Sequence, residues 1–102
     1  VGVGVETKRI PDNYMTASSE LDSDNAASHG RLNNPYFSWT PDYKDRQPYL
    51  QIFLGNQTRI TAIATQGHPW EEWFVMQYTL QFSNSGVTWS DYVKRFHDPV
   101  VW

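Results

Sequence analysis

From residue 74 to residue 82 the apolar side chains take every second position. Phe74, Met76, Tyr78, Leu80 and Phe82 alternate with Val75, Gln77, Thr79 and Gln81. A period of two sends successive side chains to opposite faces, so the run predicts a long strand with one buried face, one layer of a β-sandwich. Residues 59–65 predict a strand before it. Between the two lies Gly67-His68-Pro69-Trp70-Glu71-Glu72-Trp73. Two tryptophans, a histidine and two carboxylates exceed what a plain connection needs, so this loop is expected to be held up by the strands and to touch something. The same alternation over 49–54 places Leu50, Ile52 and Leu54 on one face of another strand, and 14–19 reads as a shorter one.

The remaining segments are turns and loops. Residues 1–9 predict an extended lead-in with Val1, Val3 and Val5 on one side, and Ile10-Pro11-Asp12 a turn. Residues 20–30 are small and polar with no repeat at three or four, which predicts a loop with at most one helical turn. Residues 31–35 carry turn chemistry, and 42–48 form a second polar loop. Gly55-Asn56 predicts a turn. Ser83-Asn84-Ser85-Gly86 predicts a tight hairpin connection, with Gly86 at positive φ and Val87-Thr88-Trp89 opening the return strand. Trp39, Tyr78, Phe82 and Trp89 are the expected aromatic core. Short strands with turn signals between them define an all-β sandwich or barrel.

Length and composition narrow the possibilities. The 102 residues make one domain at most, here residues 1–102, and Val1 and Val100-Val101-Trp102 read as the ends of a segment of something longer. Eight Lys and Arg against eleven Asp and Glu give a net charge of −3, the wrong sign for a nucleic-acid module. No apolar run approaches the roughly 20 residues of a membrane span. There is no cysteine, hence no disulfide, thiol nucleophile or thiolate metal site. Asn56-Gln57-Thr58 is an N-x-[ST] acceptor in a predicted turn, which makes Asn56 a candidate glycosylation site.

Catalytic chemistry finds little support. Glu71 and Glu72 are neighbours, and neighbours on extended chain point apart, so they do not flank one scissile bond. His29, His68 and His97 lack metal-ligand spacing. Asp22 and Asp24 are oxygen donors that suit calcium, but the glycine and distant glutamate of an EF-hand loop are missing, and a solvated turn is the favoured reading. No serine lies in a nucleophile elbow and no glycine-rich phosphate cradle occurs, so the chain is expected not to be an enzyme and to carry no cofactor, calcium aside.

Taken in order, the segments are similar to the discoidin family, the coagulation factor V/VIII type C domains. The resemblance runs through Ile10-Pro11-Asp12, Met15-Thr16-Ala17-Ser18-Ser19, Gly30-Arg31-Leu32-Asn33 and Trp39-Thr40-Pro41. It continues with residues 49–55, Ile63-Ala64-Thr65-Gln66-Gly67, residues 78–84 and Gly86-Val87-Thr88-Trp89. It implies a jelly-roll barrel with three loops projecting from one end, here residues 20–27, 42–48 and 68–73. It further implies a secreted or cell-surface adhesion module that binds glycans, proteins or phospholipid through those loops. The family's stapling cysteines and its last strands are absent from this chain, so a further segment or another chain is expected to complete the sheet. Where bacterial carbohydrate-binding relatives carry an Asp-Gly-Asp calcium motif, this chain reads His29-Gly30-Arg31.

The candidate contact residues are Leu21, Asp24 and Asn25 on the first loop, Tyr43 and Lys44 on the second, and His68, Trp70, Glu71 and Trp73 on the third. Loops one and three hold Glu20, Asp22, Asp24, Glu71 and Glu72 without a cation, while Asp42 and Asp45 offset Lys44 and Arg46. A rim of net charge −5 repels an anionic membrane, where each cation would gain about 1 kcal/mol. A glycan or protein partner therefore ranks above phospholipid. A sugar stacked on Trp70, with His68, Asp24 or Tyr43 supplying hydrogen bonds, is the concrete form of the first reading. Permanent packing as a structural tile of an extracellular assembly is the third.

Overall fold

A computed structural model describes residues 2–60 and 62–92. The all-β class holds. The described residues form two antiparallel strand pairs, three single-turn 3-10 helices and no α-helix, and no helix is long and apolar enough to cross a membrane.

The first pair joins β1 (Met15–Ala17) to β2 (Leu50–Ile52), with Met15 opposite Ile52, Thr16 opposite Gln51 and Ala17 opposite Leu50. One further bond continues the ribbon at each end, Phe53 N–H to the Tyr14 carbonyl (2.8 Å) and Ser18 N–H to the Tyr49 carbonyl (3.0 Å). The alternation read in 49–54 is realised, since Leu50, Ile52 and Leu54 face the core while Phe53 is exposed. That core is small. Ile10, Met15 and Ala27 are buried, with Val5, Tyr14, Ala17, Trp39 and the three inward residues around β2 packed against them. Trp39 thus joins the core as expected.

Arg31 is the buried cation under this layer. Its Nε donates to the Ser28 carbonyl (3.1 Å), Nη1 to the Val5 carbonyl (2.6 Å) and Nη2 to Asp12 Oδ1 (2.7 Å). A guanidinium is tolerated at this depth because its donors meet acceptors. The segment ahead of it departs from the extended lead-in expected. Residues 5–8 turn, and Ile10 N–H returns to the Gly4 carbonyl (3.0 Å). Gly4 sits at φ 115°, where a Cβ would lie 2.6 Å from that of Arg9, so only glycine closes this loop. Val1 lies outside the described residues.

The second pair joins β3 (Gln81–Phe82) to β4 (Ser90–Asp91). Here the structure corrects the reading of the pattern. Residues 74–80 form no ladder, and neither do the described residues of 59–65. Phe74, Met76, Tyr78 and Phe82 are exposed, as is Trp89, so Tyr78, Phe82 and Trp89 are not core. Alternation needs a second layer to cover its apolar face, and none packs there among the described residues. The return strand also starts later than Val87, because Ser83 and Ser85 build a longer connection. Ser83 Oγ accepts from the N–H groups of Ser85 and Gly86, and Ser85 Oγ accepts from those of Val87 and Thr88. Hydroxyls that imitate a backbone turn in this way hold the loop open. Gly86 does take positive φ, 75°. Tyr92 N–H continues the pairing to the Leu80 carbonyl (2.8 Å), and Val93 lies outside the described residues.

Candidate functional site

Loops one and two leave the β1–β2 ribbon at the same end, after Ala17 and before Leu50, and side chains fasten them together. Asp45 Oδ2 accepts from both Ser18 Oγ and Ser19 Oγ, each at 2.6 Å. The hydroxyls then accept in turn, Ser18 Oγ from Tyr49 N–H (2.9 Å) and Ser19 Oγ from Asp42 N–H (3.1 Å). Trp39 Nε1 donates to the Ser19 carbonyl (3.0 Å), and Leu21 N–H to the Thr40 carbonyl (2.8 Å). The bonds from Ser18 and Ser19, with a backbone one from Gln47, hold the Asp45 carboxyl below its ordinary value of 3.8.

Within loop one, Asp22 caps the 3-10 turn Ser23–Asn25 by accepting from both the backbone N–H (3.0 Å) and the Nδ2 of Asn25 (2.7 Å). Glu20 Oε2 takes the Ala27 N–H (2.6 Å). Asn25 itself is buried, its carbonyl accepting from Thr40 N–H and its Oδ1 from Thr40 Oγ1. It therefore braces the loop from inside. Leu21 is half-buried, and Asp24 is exposed with its carbonyl against His29 Nδ1 (2.6 Å). On loop two, Asp42 Oδ1 holds the Lys44 N–H (2.9 Å) and Asp45 Oδ1 the Gln47 N–H (3.1 Å), which are Asx turns. They leave Lys44 exposed and Tyr43 85% exposed at the tip.

Loop three closes on itself. His68 N–H donates to the Trp73 carbonyl (2.8 Å) at the neck, where a Cβ on Gly67 would meet that oxygen at 3.1 Å. His68 Nδ1 accepts from the N–H groups of Trp70 (3.0 Å) and Glu71 (3.2 Å), so its proton must sit on Nε2. The ring stands edge-on to Trp73 at 5.2 Å. Trp70 is left 72% exposed, and Glu71, Glu72 and Trp73 are exposed too. Beside it opens a concavity of about 400 Å³ lined by Gly67, Glu71, Glu72, Trp73 and Phe74. The stretch ahead of this loop is tied to the body through Gln66 Oε1, which accepts from Asn33 N–H (2.6 Å).

Against known proteins, the model of the F5/8 type C domain matches residues 14–100. The chain belongs to the F5/8 type C family. Among curated proteins it is similar to human Neuropilin-1, 31% identical over 103 residues that cover 97% of this chain and 11% of that protein. Neuropilin-1a of zebrafish is 33% identical over 91 residues, 85% of this chain and 10% of that protein. Neuropilin-1 of the rat is 31% identical over the same length and shares. The chain thus spans about a tenth of the relatives it matches.

As an F5/8 type C chain it shows which residues sequence reasoning passes over. Ser18 and Ser19, unremarkable as nucleophiles, are the latch between the first two loops. Their partner Asp45 lies 27 and 26 residues away, and no local pattern announces such a pairing. Arg31 stands in the His29-Gly30-Arg31 triplet, and a permanent guanidinium there repels a metal cation. Among the described residues no three His, Cys, Asp or Glu gather as a metal site. Of the calcium candidates, Asp22 has its Oδ1 engaged twice by Asn25.

Proposed function

We propose that this chain is the binding part of a non-catalytic extracellular module, which recognises a glycan or a protein partner through loops 20–27, 42–48 and 68–73. One observation carries the reading. The two candidate aromatics most exposed to solvent, Tyr43 on loop two and Trp70 on loop three, stand on backbones fixed by side-chain acceptors, Asp42 and Asp45 for the first and His68 for the second. Exposed rings on rigid turns lose little entropy on contact, and tryptophan and tyrosine are the residues on which binding energy concentrates.

Charge supports the choice of partner class. The free carboxylates beside Trp70 and Trp73, Glu71 and Glu72, accept hydrogen bonds from sugar hydroxyls or pair with basic side chains. They repel the phosphates of an anionic bilayer. Glycan-array and pull-down measurements on the complete protein, comparing wild type with Trp70→Ala and Tyr43→Ala, test the reading. Loss of the same ligand in both variants is expected of one shared rim. Unchanged binding in both removes the loops as the contact surface. Co-sedimentation with phosphatidylserine vesicles at low salt, abolished by Trp70→Ala, would instead establish the lipid alternative.

A further inference from the structure

We propose that Asn56 carries an N-linked glycan, and that its place in the fold directs that glycan away from loops one and two. The inference rests on the extracellular placement above. Asn56-Gln57-Thr58 is the one N-x-[ST] triplet in the sequence. It occupies a turn that Gly55 makes at φ 81°, and residues 55–59 are all exposed. Thr58 Oγ1 donates to the Asn56 carbonyl (2.8 Å), so the acceptor residue and its hydroxyl are held within one local turn. Among the described residues nothing bonds to the Asn56 carboxamide. A bulky polar adduct there displaces no packing.

The register of the ribbon gives the direction. Loops one and two depart beside Ser18 and Tyr49, at the Ala17–Leu50 end of the β1–β2 pair. The Gly55-Asn56 turn lies past the Met15–Ile52 end. With a strand rise of about 3.3 Å per residue, the five steps from Tyr49 to Leu54 separate the two ends by about 17 Å. In the transfer step the Asn56 amide nitrogen bonds to the anomeric carbon of a lipid-linked oligosaccharide. The carbon–oxygen bond to the lipid pyrophosphate breaks, and the nitrogen's proton leaves to a base on the transferase. The glycan then leaves from the end of the ribbon at which Phe53 packs edge-on to Tyr14 at 4.9 Å, the end opposite loop two and Tyr43.

The full-length protein, expressed in animal cells and recovered from the medium or the cell surface, is digested with peptide-N-glycosidase. The peptide containing residue 56 is then weighed. Conversion of Asn56 to aspartate is expected in wild type and in Thr58→Ser, and no modified peptide in Thr58→Ala. Asn56→Gln, which cannot be modified at that position, is expected to bind the loop ligand within twofold of wild type. An unmodified Asn56 in protein recovered outside the cell overturns the glycan and leaves the extracellular reading standing. Protein found only in the cytosol, unmodified, overturns both. A large change in ligand binding for Asn56→Gln overturns the separation of the two ends.

Discussion

Met15 and Met76 each occupy an apolar position in an alternating run, and the fold treats them oppositely: Met15 is 4% exposed and Met76 is 83% exposed. The difference lies in what returns to cover each run. Over Met15 come Ile10 from before the strand and Ala27 from the 3-10 turn Ala27–His29, with Leu50 and Ile52 beside it. The stretch around Met76 receives nothing comparable among the described residues, and its alternation stays unconverted into a ladder. A period of two therefore states which side chains want a common face. Whether that face is buried depends on segments far along the chain.

Two truncations break or sharpen this contrast. Met15→Ala is expected to destabilise the chain by about 3 kcal/mol, the usual cost of emptying a buried methionine site. Met76→Ala should fall within about 0.5 kcal/mol of wild type, as exposed substitutions do. Urea denaturation of both variants decides it. A loss at Met76 approaching that at Met15 would mean that something does cover the 74–82 face.

The next effect in size concerns display rather than packing. Trp70→Ala is expected to weaken ligand binding by about thirtyfold, near 2 kcal/mol for a central aromatic contact. His68→Ala removes the acceptor that fixes the Trp70 and Glu71 N–H groups, and should weaken the same binding about threefold with the indole still present. Calorimetric titration of both variants separates the ring's contact from its preorganisation. Equal losses would make His68 a contact residue itself.

The smallest effect is a pH dependence at the latch. Ser18 and Ser19 hold the Asp45 carboxyl below 3.8, so the folded group binds its proton less readily than the unfolded one. That stabilisation is fully present above about pH 4 and is lost as pH falls through the folded value. Asp45→Asn should flatten this part of the acid limb of a plot of Tm against pH. A limb identical to wild type would show that the two loops are held by their backbone bonds alone.

Much was legible in residue order. The class, the β1–β2 alternation, the polar loop at 20–30, the second polar loop and the glycine turns at 55 and 86 follow from local periodicity and backbone sterics. Loop 20–30 nevertheless holds two 3-10 turns, Ser23–Asn25 and Ala27–His29, where at most one was expected. The candidate aromatics Tyr43 and Trp70 were also legible, because a ring in a polar, proline-flanked or Asx-rich segment has no strand to bury it. Asn25 was misread as a contact residue by the same logic: in a polar loop nothing local distinguishes an amide that faces solvent from one that braces the turn. The buried place of Arg31 and the Ser18–Ser19–Asp45 latch were invisible for a related reason.

What the sequence alone determined is which segments extend, which turn, and which side chains share a face, since these depend on neighbours a few residues away. The tertiary structure decided which apolar faces are covered and which distant partners satisfy the polar groups inside. Those outcomes turn on pairings between groups far apart along the chain, such as Met15 with Ile52 or Arg31 with Val5 and Asp12. Burial in water-excluded contact is a property of the pair, never of one residue's own preference.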